Sequence, residues 1–355
     1  MKLRRSGTGT RRLPILGSAA LAATAAALIA GCSAAPAPAK AAATPAAPGF
    51  TIAEAQAVYS TYVARSTTAA QRGDAAAVLP LAGDMQWSML HAEYTALTTT
   101  GTPVTQYRYG KPVFYVPALA DFPFWFMVEV PVRTDTKGEL GPAVSTMMVF
   151  QRYQAARTWS LNGSAVLNQP LPAIAHDSDG YAVALTDGDS SLLLQPDLVG
   201  ATQAAVVDEG PAAPATTVIG TGPNTTGLYT TQNARGNSAT AGGLNYQWLM
   251  QGASFAQYEL QAASGGAVVL YSMYLNTVTE HPGNVSGPAI PLPAGFGPLV
   301  TTATKAGVHG VDANWTYEFA AVDPPQSAHD AKVEIIGGTG APTYGHPYLV
   351  RPGRA

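Results

Sequence analysis

One cysteine, Cys32, stands alone in 355 residues, so the chain can make no internal disulfide. Without such staples a fold is held by buried apolar surface, and that requires size. Hydrophobic residues make up 47% of the chain and charged residues only 12%, with 36 Gly and 28 Pro to punctuate it. That is globular composition, long enough for two ordinary domains with cores of their own. Apolar periodicity is therefore the place to look for structure.

The first folded signal is Thr51-Ile52-Ala53-Glu54, a capping box in which the threonine hydroxyl and the glutamate side chain satisfy each other's backbone N–H. Ile52, Ala55, Tyr59, Tyr62 and Val63 follow at helical spacing, and Gly73 stops the helix. A second helix is expected from Asp84, with Trp87, Leu90, Tyr94 and Leu97 on one face. After Gly101 the period changes to two. Strands are expected over 113–116, 124–133, 143–153 and 158–167. In the long strand Phe124, Phe126, Val128, Val130 and Val132 form one face; Trp125, Met127, Glu129 and Arg133 form a mixed face, expected to be only partly covered. The second half repeats the plan loosely: a helix from Pro196, an unassignable Gly-, Thr- and Asn-rich stretch over 210–243, then strands around Tyr258, over 267–279, around Trp315 and over 332–336. Trp159 and Trp315 fall late in the two halves. The expected class is α+β, with two related units that each pack helices on a curved antiparallel sheet.

Ahead of the body lie Lys2, Arg4, Arg5, Arg11 and Arg12, an apolar run from Leu13 to Ala30, and Gly31-Cys32. A basic start, an apolar centre and small residues before a cysteine form the layout of a bacterial lipoprotein signal. On this reading the chain is cut after Gly31, and Cys32 carries acyl chains (palmitate among them) that hold it on the extracytoplasmic face of the cell membrane. A membrane-spanning helix is the alternative, since about 18 apolar residues just reach across a bilayer, but it leaves the small residues before Cys32 unexplained. Thr10-Arg11-Arg12 also permits twin-arginine export beside the general route. Removing residues 1–31 takes five of the 19 basic residues, leaving 14 against 22 acidic ones and moving the net charge from −3 to −8. Such a chain is a poor binder of nucleic acid, which needs clustered Lys and Arg. Residues 32–49 are Pro- and Ala-rich; at about 3 Å per residue this tether spans about 50 Å when stretched. The expected order is thus signal 1–31, tether 32–49, first α+β domain 50–170, connection 171–194, second α+β domain 195–338 and a C-terminal tail 339–355.

Several phrases carry a resemblance. They are Leu171-Pro172-Ala173-Ile174-Ala175, Asp179-Gly180-Tyr181-Ala182, Gln195-Pro196-Asp197-Leu198, Val322-Asp323-Pro324-Pro325 and Lys332-Val333-Glu334-Ile335. Together the chain resembles a family of actinobacterial lipoproteins of unknown function. The resemblance implies a Gram-positive host with one membrane and carries over no functional residue. Helices followed by a curved antiparallel sheet are also similar to the NTF2-like (cystatin-like) α+β cone.

Catalytic signatures are weak throughout. None of His91, His176, His281, His309, His329 and His346 stands in a zinc-binding spacing, so no metal site and no cofactor is expected. Asp177-Ser178-Asp179-Gly180 and Asp187-Gly188-Asp189 are acidic, but an EF-hand needs Glu at its twelfth position, where Gly188 stands; Asx turns around an expected strand from Tyr181 to Thr186 account for them better. His91 reads as a hydrogen-bonded structural histidine. Gly252-Ala253-Ser254-Phe255-Ala256 lacks the last glycine of a nucleophile elbow. Inside a cone, Glu129 is the candidate acid–base group, although a surface carboxylate beside Arg133 is the simpler reading; Trp87 and Trp125 are candidate aromatic contacts for a glycan or lipid. The expectation is a non-catalytic binding or scaffold protein of the envelope. Its partner would be another envelope protein, a glycan or a small apolar ligand. An envelope enzyme with its acid–base group in the cone is the alternative.

Overall fold

The computed structural model describes residues 48–283, 285–300 and 308–349. Gly31, Cys32, the expected signal and nearly all of the expected tether lie outside them. In chain order the first half contains α1 (Ile52–Arg72), α2 (Ala75–Val78), α3 (Asp84–Thr100), β1 (Gln106–Tyr109), β2 (Val113–Tyr115), β3 (Phe124–Thr136), β4 (Glu139–Leu140), β5 (Val144–Arg152) and β6 (Ser160–Val166). The second half contains α4 (Pro196–Glu209), α5 (Thr226–Ala241), β7 (Asn245–Gly252), β8 (Tyr258–Gln261), β9 (Ala267–Glu280), β10 (Gly310–Asp323) and β11 (Glu334–Tyr348).

Local chemistry sets the helix ends. The Thr51 hydroxyl accepts from the Glu54 N–H at 3.2 Å while the Thr51 N–H donates to Glu54 Oε2 at 2.6 Å, closing the capping box. Gly73 stops α1 at φ +64° and Gly101 stops α3 at φ +71°, a left-handed conformation that costs glycine least. Asp84, the first residue of α3, takes φ +46°, which is uncommon for a residue with a Cβ.

Two antiparallel sheets result. The first has six strands in the order β1-β3-β5-β6, with β2 and β4 also paired to β3; the second has five, β11-β10-β9-β7, with β8 also paired to β9. In β3, Phe124, Phe126, Val128, Val130 and Val132 pack with Phe50, Ala55 and Tyr59 under α1. Trp125 and Met127, on the opposite face, pack with Tyr258, Leu260 and Leu270 of the second sheet. The mixed face of β3 is therefore buried along its first half, contrary to expectation, because the other sheet lies on it. Strand β9 has the same two-sided character: Val268 and Leu270 join the inter-sheet core, whereas Val269 and Tyr271 pack with Val199, Val206 and Val207 of α4. Helices, sheet, sheet and helices thus form four layers, an α+β architecture of two similar halves within one body.

Several expectations change. Helix α5 lies in the stretch left unassigned; Gln232 is its one buried residue, so no apolar stripe announces it. Strand β11 runs on to Tyr348, so residues 339–348 belong to the second sheet and not to a tail. Trp159 precedes β6 by one residue. The expected strand from Tyr181 to Thr186 makes only isolated bridges, through Ala182 and Ala184. The acidic turns beside it are as read: Asp177 Oδ1 accepts from the N–H groups of Asp179 and Tyr181, each at 2.9 Å, and Asp189 Oδ1 accepts from the Ser191 N–H at 2.8 Å.

Candidate functional site

A cavity of about 630 Å³ lies between α1 and α3 on one side and β1, β3, β5 and β6 on the other, with Gly340 to Pro342 of β11 at its edge. Its size is that of an ordinary small-molecule site. Helix α3 supplies one wall through Gln86, Leu90, Glu93 and Tyr94, the spacing of a single helical face. Val132, Thr146, Met148 and Leu161, all buried, form the sheet wall. Tyr107 and Val144 line the solvent side, 41% and 38% exposed.

The electrostatics of this chamber are one-sided. Among its described lining residues there is no Lys, Arg or His, and Glu93 is the one carboxylate; its Oε1 accepts from the Thr105 N–H at 2.7 Å. Burial, with Glu93 and Asp74 nearby, pushes the Tyr94 phenol up to about 12. Burial also raises Tyr62, Tyr107 and Tyr109. All four phenols are therefore neutral at ordinary pH. Tyr109 is hydrogen-bonded to Tyr62 and Ser66. By contrast the Tyr94 hydroxyl, Thr146 Oγ1 and Gln86 Oε1 are buried without partners. The arrangement offers an apolar volume with unclaimed hydrogen-bonding atoms and no pair of acid–base groups.

The three residues singled out from sequence are not brought together, and none of them lines this cavity. Trp87 is 42% exposed and stacks on His91 with ring centroids 4.8 Å apart, so α3 turns Gln86 and not Trp87 inward, and His91 is an exposed stacking partner. Trp125 is buried between the sheets against Tyr258, centroids 5.5 Å apart, at the side of a second depression of about 530 Å³. Glu129 is half-buried; it accepts from the Ser145 hydroxyl at 2.8 Å and the Tyr115 hydroxyl at 3.2 Å in place of the expected surface position beside Arg133. Sequence reasoning missed Gln86, Tyr94 and Thr146. Gln86 carried a usable signal: a polar residue four before Leu90 and eight before Tyr94, on the helix face expected to be buried.

A second polar cluster crosses the inter-sheet core. Asn162 Nδ2 donates to Asp84 Oδ2 at 2.6 Å and to Gln151 Oε1 at 3.1 Å, and the Tyr258 hydroxyl donates to the same Gln151 oxygen at 3.1 Å. Tyr153 donates to Asp84 at 2.6 Å. Glu318 reaches from β10 to the Ser164 N–H at 2.5 Å. These bonds tie α3 and the first sheet to the second, and the second depression opens beside Gln151 and Tyr258. Among the described residues no three His, Cys, Asp or Glu side chains lie close enough together to hold a metal ion.

Fold and cavity define a class: a two-sheet α+β protein with an apolar chamber beneath the helices of its first sheet. The profile of a domain of unknown function, DUF8094, matches residues 46–346, and the chain belongs to that family. A protein of Streptomyces avermitilis described as an uncharacterized lipoprotein is 26% identical over 283 residues, covering 78% of each chain. No solved structure matches. No helix among the described residues is long and apolar enough to cross a membrane.

Proposed function

We propose that this chain is a lipid-anchored protein of the extracytoplasmic membrane face that binds a small apolar ligand without transforming it. The observation that carries the reading is the cavity of about 630 Å³, walled chiefly by apolar side chains and lacking a converging acid–base pair. Anchoring through the lipid on Cys32, after cleavage at Gly31, is supported by the arrangement of residues 1–32 and by the lipoprotein relative. Each half is taken as an NTF2-like cone. The support for this is the packing of α1 and α3 across the first sheet and of α4 and α5 across the second.

The test is titration of the purified full chain with the neutral apolar dye Nile red. Ala96, on α3, lines the cavity, and Ala96→Trp places an indole in it. Dye affinity is expected to fall at least about tenfold while the melting temperature holds, since displaced apolar contact is worth about 1.5–3 kcal/mol. Unchanged affinity in a folded variant overturns the ligand reading. Separately, the unaltered chain is expected to take up labelled palmitate and the Cys32→Ala chain none; an unaltered chain that takes up no label overturns the anchor.

A further inference from the structure

We infer that the cavity selects a neutral long-chain molecule bearing a hydroxyl or carbonyl group, and rejects fatty-acid anions and other charged amphiphiles. This rests on the ligand-binding reading above and narrows it to a chemical class.

Two independent observations lead there. The first is the set of unclaimed polar atoms. Tyr94 is 2% exposed and Thr146 is 5% exposed, both line the cavity, and neither hydroxyl has a partner; Gln86 Oε1 on the same helix face as Tyr94 is equally unpaired. The neighbouring hydroxyls of Tyr62, Tyr109 and Ser66 are hydrogen-bonded among themselves, so the unpaired set is not a general property of this wall. A buried donor or acceptor without a partner is costly; all three oxygens are closed to water, so a ligand oxygen meets them through a turn of the side chain and relieves that cost there. Thr146 shares its sheet face with Met148, and Tyr94 shares its helix face with Leu90. The polar group of the ligand is thus received among apolar contacts and not in open water.

The second observation is charge. An anion drawn into this space leaves water without meeting a cation among the described lining residues, which include no Lys, Arg or His, and it approaches the carboxylate of Glu93. A cation fares little better: one Glu93 oxygen is committed to the Thr105 N–H, leaving a single partly screened carboxylate as partner. At the solvent side Tyr107 and Val144 extend apolar contact to the surface.

The experiment is displacement of Nile red from the purified full chain by four ligands of one chain length: hexadecane, hexadecanol, palmitate and hexadecylamine. Hexadecanol is expected to bind about three- to tenfold tighter than hexadecane, the worth of one hydrogen bond. At about pH 8 palmitate and hexadecylamine are expected to bind at least about tenfold more weakly than hexadecanol, and the palmitate deficit is expected to close below about pH 4, where the free acid is protonated. Thr146→Val and Tyr94→Phe together are expected to erase the advantage of the alcohol over the alkane. The doubly substituted chain is expected to hold or raise its melting temperature, because each change removes an unpaired polar atom; the comparison is made as the alcohol-to-alkane ratio within that one variant. Palmitate or the amine matching the alcohol at about pH 8 overturns the proposal, as does an alcohol advantage that survives both substitutions. Failure of Nile red to bind the unaltered chain is a different outcome: it removes the cavity reading and this inference with it.

Discussion

Glu318 shows how much one residue can ask of its surroundings. It is fully buried on β10, one carboxyl oxygen accepts from the Ser164 N–H and the other has no partner. Burial pushes this carboxyl up to about 8; burial likewise lifts Glu259, with Asp187 and Asp197 nearby, to about 8 and Asp323 to about 7. In the unfolded chain these groups lose their protons near 4, so between that point and about 8 the folded state holds more protons than the unfolded one. The associated stability is present in mild acid and is withdrawn as pH rises through the folded values. The melting temperature should therefore fall from about pH 5 to about pH 9, and Glu318→Gln should flatten part of that slope; a slope unaffected by the substitution would falsify the assignment. None of this was legible in the sequence, where Glu318 stands in alternation with Tyr317 and Phe319 and resembles an outward-facing strand residue. Its partner is 154 positions away. Trp125 was legible as an aromatic of note but not as a core residue, since the Tyr258 ring that covers it comes from the other half.

Elements were legible where their signals are local. The Thr51 and Glu54 pair fixed the start of α1 to the residue, and the geometry is the one such pairs adopt. Thr51→Ala should cost about 1 kcal/mol of stability, as removal of an N-cap hydroxyl generally does, measurable by urea denaturation. Strands β3, β5 and β6 were found within a few residues because alternation and turn residues bound them. Helix α5 was not found, since Gly227, Gly236 and its Thr and Asn residues have weak helix propensity and it buries little. It is held by packing against α4 and β7. Gly236→Ala, whose added methyl meets Tyr246 and Trp248 only at 3.5 and 3.8 Å, should stabilise α5 by about 0.5–1 kcal/mol, seen as a rise in melting temperature. The cavity escaped sequence reading for a related reason. Its walls come from two helices and four strands, and only the face of α3 carrying Gln86 hinted at a polar intrusion.

For the whole molecule, the decisive contact is sheet against sheet. The inter-sheet core joins Trp125, Met127, Met147 and Val149 of the first half to Tyr258, Leu260, Val268 and Leu270 of the second. A chain ending near residue 170 would expose that entire face. It should be insoluble or molten, and the intact chain should unfold in one transition by calorimetry; two separate transitions would show that each half is stable alone. The absence of any disulfide is consistent with this design, because each sheet is covered on both faces and supplies the burial that staples provide elsewhere.

The entry point of the chain has one more consequence. Gly49 hydrogen-bonds to the Leu119 carbonyl and abuts Phe124, while Thr134 of the same strand lies at the cavity. Ten strand residues separate the two, about 33 Å. A pull applied at residue 49 would therefore enter at one end of β3, while the cavity lies toward the other.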